Sequence, residues 1–300
     1  MQMIDRGNQV ISTLETDQAS SLRRMLARRE GRSTALIGGT GTGVTSLAIN
    51  LAHALAESGG SIMLIDEDES PASAASRLQL RSRHRFEQAV MRDVRLDEMV
   101  LQGPQFSLLP LHVSGELALA IPPSRQRQLA DEYDSVSAAI DHVLIDARPV
   151  SAHSPPGLAI AADEVIVVIT PSGESITDAY AAIKRLHVEY GKRHFRILVN
   201  RVRTLETAQA LFRRVKEVAH TYLDTRLSLI GFVPEDDMLA RADKLALPVQ
   251  TAFPQAESSV AFGQLAANHS RWPVPQVLPD RANLLFRTLD LSRRFAVRCA

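Results

Sequence analysis

Three hundred residues, 45% hydrophobic and 23% charged, suffice for one large α/β domain with extensions or for two small domains. Lys and Arg (34) balance Asp and Glu (34), so no global field draws nucleic acid, and the single cysteine, Cys299, excludes a disulfide framework and any internal iron–sulfur or cysteine-rich zinc site. The opening residues Met1-Gln2-Met3-Ile4-Asp5-Arg6 lack the apolar core of a signal peptide and no apolar run is long enough to span a bilayer, so a cytoplasmic chain is expected.

Residues 1–32 are polar, with one helical patch around Ala19–Arg29. Strand-like runs follow at Thr34–Ile37, Ser61–Ile65, Phe106–Leu109, His142–Ile145, Glu164–Ile169, Phe195–Val199 and Leu227–Ile230. Helical periodicity marks Leu47–Ala56, Arg125–Ile140, Ile176–Tyr190 and Leu205–Tyr222 between them. Val143-Leu144-Ile145 and Val165-Ile166-Val167-Val168-Ile169 are apolar on both faces, the mark of parallel strands covered by helices above and below. The alternation predicts an α/β fold: a doubly wound, mostly parallel sheet over 33–268. Residues 269–300 read as a Pro-rich linker followed by an amphipathic helix, Arg281–Val297.

The first strand runs into Gly38-Gly39-Thr40-Gly41-Thr42-Gly43-Val44-Thr45-Ser46. This follows the phosphate-loop pattern G-x-x-x-x-G-K-[ST], with Gly38 opening it, Gly43 closing it and Thr45 in the Mg²⁺-ligand position. Val44 stands where the lysine belongs. Strand, glycine turn and helix aim backbone N–H groups and a helix N-terminus at a phosphate, whereas an apolar side chain offers a phosphate no charge. The plain alternative is a glycine turn that binds nothing. Two further strands end in acids: Asp66-Glu67-Asp68 after the second, and Asp146 after His142–Ile145. Acids at the C-terminal edge of a parallel sheet sit beside the ligand crevice. There Thr45, Asp66 and Asp146 would hold Mg²⁺, and Asp68 and Asp146 would serve an attacking water.

Loop, second strand and third strand together resemble the MinD/ParA-type deviant Walker A ATPases, P-loop proteins that dimerise face to face over two ATP molecules. In that alignment Gly39 takes the place of the signature lysine that reaches the partner's ATP, and Val44 that of the ordinary loop lysine. Asp17-Gln18-Ala19-Ser20-Ser21-Leu22-Arg23 resembles the activator motif of the FlhG/FleN branch, the flagellar number regulators, in which it stimulates the signal-recognition-type GTPase FlhF. Thr170–Tyr180 resembles the branch's T-P-E-x-x-S-I-T-D-A-Y segment. Leu198–Val202 resembles the strand whose asparagine, here Asn200, faces adenine, and Gly231–Asp236 the second base-flanking loop, with Pro234.

The resemblance implies ATP or ADP with Mg²⁺ as ligand, and weak or absent hydrolysis. It names Asp17, Gln18, Ala19, Leu22 and Arg23 as the contacts to an FlhF-type GTPase. It also implies a homodimer and a flagellar transcription activator or basal-body protein as further partners, with no specific nucleic acid. The competing expectation is an active MinD/ParA-type ATPase in DNA partition or cellulose synthesis. Arg148, where the family has small residues, is either a surface arginine or a substitute for a lost lysine. The terminal helix, with Leu284, Leu285, Phe286, Leu289, Leu291 and Phe295 among arginines, either anchors the chain peripherally on an anionic membrane or docks on protein.

Overall fold

A computed structural model describes residues 31–149, 157–269 and 282–299. The segment Asp17–Arg23 and the Pro-rich linker lie outside the described residues. Eight strands form one sheet: β1 (Arg32–Gly38), β2 (Ile62–Asp66), β3 (Leu101–Gln102), β4 (Ser107–Pro110), β5 (His142–Asp146), β6 (Glu164–Ile169), β7 (His194–Asn200) and β8 (Arg226–Val233). Their order is β3-β4-β2-β5-β1-β6-β7-β8, and every pairing is parallel except β3 with β4. All seven strand-like runs are strands. Only β3 had no forerunner in the sequence, because two residues carry no period.

The pleat sorts the side chains. Leu36, Ile62, Leu64, Leu144, Ile166, Val168 and Leu198 enter one buried cluster. This cluster is completed by α1 (Val44–Glu57) and by Phe262, Leu265 and Ala266 of the later helix Glu257–His269. Ala35, Ile37, Met63, Ile65, Val143, Ile145, Val165 and Val167 enter the opposite cluster. There they meet Leu129 and Tyr133 of the helix Pro123–Ser137 and Ile183 and Leu186 of the helix Gly173–Tyr190. Parity therefore decides where each strand-end acid points. Asp66 and Asp146 continue the series on the α1 face, while Glu67 faces the other way.

In chain order the remaining helices are α2 (Ala74–Arg77), α3 (Phe86–Met91), α4 (Gly115–Ala120), α5 (Pro123–Ser137), α6 (Gly173–Tyr190), α7 (Leu205–Tyr222), α8 (Asp237–Lys244), α9 (Val249–Ala252), α10 (Glu257–His269) and α11 (Leu284–Cys299). Ser172 caps α6 by accepting from Ser175 N at 3.1 Å, and Thr204 caps α7 by accepting from Thr207 N at 3.2 Å.

The terminal helix α11 is docked. Leu284, Leu285 and Leu289 are at most 1% exposed and belong to the core cluster beside α4 and α5. Asn283 caps it, accepting from Phe286 N at 2.9 Å, and its amide donates to Ala130 O and Asp134 Oδ1 on α5, both at 2.8 Å. Its arginines are engaged as well: Arg287 with Asp163 at 3.5 Å, Arg293 with Ile121 O, and Arg294 with Asp290 at 2.8 Å. Of the two expectations for this helix, docking on protein is the one the structure shows. Among the described residues no helix is long and apolar enough to cross a membrane.

Candidate functional site

β1 delivers the loop at the middle of the sheet, between β5 and β6. Gly41 and Gly43 take φ of 78° and 88°, the left-handed region that favours glycine. A Cβ on Gly43 would also stand 2.8 Å from Asn200 Nδ2. Thr42 folds the turn back on itself, its N and Oγ1 both donating to Gly39 O, at 3.2 and 2.7 Å. Gly43 is the N-cap of α1 and no side chain caps that end, nor is there an acid in the first turn. The first N–H groups of α1 have no intrahelical carbonyl to bond, so the helix presents its positive end to whatever lies over the loop. Thr40 and Gly41 are exposed.

Val44 is half-buried against the apolar cluster under α1, its Cγ2 2.9 Å from where a Cβ on Gly38 would stand. Gly39 is not in the left-handed region. Its lack of a side chain has another correlate: a Cβ there would collide with the Asp178 carboxylate of α6. The two positions that would carry lysines thus face an apolar cluster and an acid.

Both strands run one residue further than their apolar runs suggested, so Asp66 and Asp146 are paired neighbours across β2 and β5. Asp66 is 2% exposed, accepts from Ala75 N at 2.8 Å and Asp68 N at 3.1 Å, and is pushed up to about 6 by burial. Asp146 is 3% exposed and hydrogen-bonded to the Thr45 side chain, and burial, then Asp66, push it up to about 8. Its Oδ2 is buried without a hydrogen-bond partner. Buried polar atoms are rarely left so, and this one suits a hard cation. Among the described residues no three or more His, Cys, Asp or Glu cluster to hold a metal by themselves. The donor set fits Mg²⁺, which takes one or two carboxylates and shares the rest of its shell with phosphate and water. Thr45 and Asp146, with Asp66 behind, are the residues that would hold it, and the ion would supply charge neutralisation at the phosphates.

Asp68 is half-buried, its carboxylate accepting from Ser70 N at 2.9 Å and Ser70 Oγ at 2.7 Å. Ser46 donates to Asp243, 3.1 Å from either oxygen, and Asp243 pairs with Arg77 at 3.1 Å. Asn200, 4% exposed, spends its amide N–H on Thr42 O at 2.8 Å, so it buttresses the loop itself. Pro234 is buried in the turn after β8, next to the carbonyl of Val233 that Arg201 N bonds at 2.9 Å.

Arg148 corrects both expectations made for it. It is half-buried, and its guanidinium donates to Val113 O at 3.0 Å and meets His112 Nε2 at 3.3 Å. His112 Nδ1 lies 2.9 Å from Glu67 O, which can only accept, so Nδ1 carries the proton and Nε2 accepts from Arg148. Glu67 is fully buried on the face opposite Asp66, accepting from Leu158 N at 2.7 Å and Arg148 N at 3.4 Å. Burial pushes it up to about 7, against the pull of Arg148. Arg148 is therefore a strut under the strand ends, and not a phosphate cation. Sequence reasoning missed Glu67 and His112 in this cluster. Parity was the usable signal for Glu67; nothing in the sequence marked His112.

A phosphate-type glycine loop at the centre of a parallel sheet, with acids on two strand ends beside it, defines a P-loop nucleotide-binding fold. The AAA domain family model matches residues 37–196, just over half of the chain. The chain is 30% identical over 243 residues to the antiactivator FleN of Pseudomonas aeruginosa, covering 80% of this chain and 87% of FleN. The MinD cell division protein of Aquifex aeolicus superposes with a TM-score of 0.62 at 22% identity, over 83% of this chain and all of that one. MinD of Pyrococcus horikoshii, solved with Mg-ADP, superposes with a TM-score of 0.59 at 22% identity, over 80% of this chain and 96% of that one. The chain belongs to the MinD/ParA family of P-loop ATPases and within it is FlhG/FleN-like.

Proposed function

We propose that this protein is a flagellar number regulator that works by binding partners and turns over ATP weakly or not at all. The observation that carries this is the loop: its backbone frame is whole, while Val44 and Gly39 stand where the two cations would be. Backbone N–H groups and a divalent cation can retain MgATP or MgADP. One lost charge-assisted bond costs roughly 1.5–3 kcal/mol of binding, whereas a lost transition-state cation costs on the order of 10³-fold in rate. Binding thus outlasts hydrolysis.

The similarity to an antiactivator supports a role in flagellar regulation, with a transcription activator or basal-body protein as a further partner. In the N-terminal segment, Asp17, Gln18, Ala19 and Arg23 provide polar and small contacts to an FlhF-type GTPase, and Leu22 the apolar anchor. Replacing Gln18 and Leu22 by Ala is expected to abolish stimulation of that GTPase, measured as GTP turnover, with the melting temperature of the domain unchanged. Undiminished stimulation by the double variant would remove the partner assignment.

A further inference from the structure

Arg77, Arg148 and Arg201 lie near the strand ends or the residues that brace the loop, and their commitments differ. Arg148 is held by Val113 O and His112 on the other side of the strand ends. Arg77 donates to Ala72 O at 2.9 Å and is neutralised by Asp243. Arg201 follows Asn200 at the end of β7, and its guanidinium has no hydrogen-bond or ion-pair partner among the described residues. Its Nη2 lies 3.9 Å from where a Cβ on Gly43 would stand, one residue from the position of the missing loop lysine. The backbone that puts it there is unusual: φ is 61°, sparsely populated for a residue with a Cβ. Arg201 N is pinned by Val233 O at 2.9 Å and Asn200 Oδ1 at 3.0 Å. At the same end of the sheet Asp146, 3% exposed, holds an oxygen with no partner. An unspent cation and an unspent buried carboxylate oxygen therefore flank the open N-terminus of α1, which is the charge pattern of a site for a polyphosphate and a divalent cation.

We propose that Arg201 supplies from outside the loop the positive charge that Val44 and Gly39 withhold, clamping the phosphates of a nucleoside di- or triphosphate against the end of α1. The assignment rests on the nucleotide-binding reading of the loop. Calorimetric titration of the full chain with MgADP and MgATP separates the two. Arg201→Ala is expected to weaken both at least about tenfold, the value of one charge-assisted contact, while Arg201→Lys retains most of the affinity and Arg77→Ala stays within about threefold of the unaltered protein. Raised salt should weaken the unaltered protein more than Arg201→Ala, a difference that a purely structural role would not produce. Arg201→Gly, which accepts the positive φ without strain, serves as the second charge-free variant should Arg201→Ala fold poorly. If the unaltered protein binds and both charge-free variants bind equally well, Arg201 is not the cation and the nucleotide reading stands. If the unaltered protein binds neither nucleotide at millimolar concentration, both fail together.

Discussion

Removing residues 284–300 will unfold this protein or leave it insoluble, and Leu285→Ala with Leu289→Ala will come close to doing so. The two leucines are 0% and 1% exposed in the same cluster as the sheet's Ile65 and Ile145. Emptying a buried leucine costs roughly 2–5 kcal/mol, so the pair approaches the whole stability of an ordinary domain, about 5–15 kcal/mol. Denaturant unfolding followed by circular dichroism measures the loss. A truncated chain with an unchanged midpoint would mean that the helix is dispensable, and sedimentation with anionic liposomes would then decide whether a membrane is its partner.

The second large effect concerns pH. Asp66, Glu67 and Asp146 are raised to about 6, 7 and 8, in each case chiefly by burial. Folded values above the unfolded ones mean that the native state binds more protons than the unfolded chain. Their contribution is complete below about pH 4 and is lost as pH rises through 6 to 8. For Glu67 alone the shift from 4.5 to about 7 corresponds to a loss on the order of 3 kcal/mol. Stability without divalent cations should therefore fall from about pH 4 to about pH 8. Mg²⁺ with nucleotide should restore much of the loss due to Asp66 and Asp146, but not that due to Glu67, which faces away from them. A melting temperature that is flat or rising over that range would contradict the placement of these acids.

The sequence revealed whatever repeats or is local. Apolar runs such as Val165–Ile169 announced buried parallel strands, α7 ran residue for residue as its period indicated, and the glycines of the loop marked the crevice. The exact ends of β2 and β5 were hidden, because an aspartate in the last paired position looks like the first residue of a turn. Contacts between distant segments were also hidden. Glu67 and Arg148 are 81 residues apart, and Arg148 read on its own offered only a surface or a phosphate. The terminal helix shows leucines on more than one face, and what settles it, the two hydrogen bonds that the Asn283 amide donates to α5, has no sequence signature. Gly39 showed its missing charge in the sequence, but the Asp178 carboxylate that occupies the space for a side chain comes from α6.

The central claim is a nucleotide frame without the charge for hydrolysis, and steady-state ATP turnover of the full chain, with and without an FlhF-type GTPase present, tests it most directly. The account predicts turnover lower than that of family members with both lysines by on the order of 10³-fold, with Val44→Lys raising it. Turnover by the unaltered protein at the rate of those intact members would contradict it.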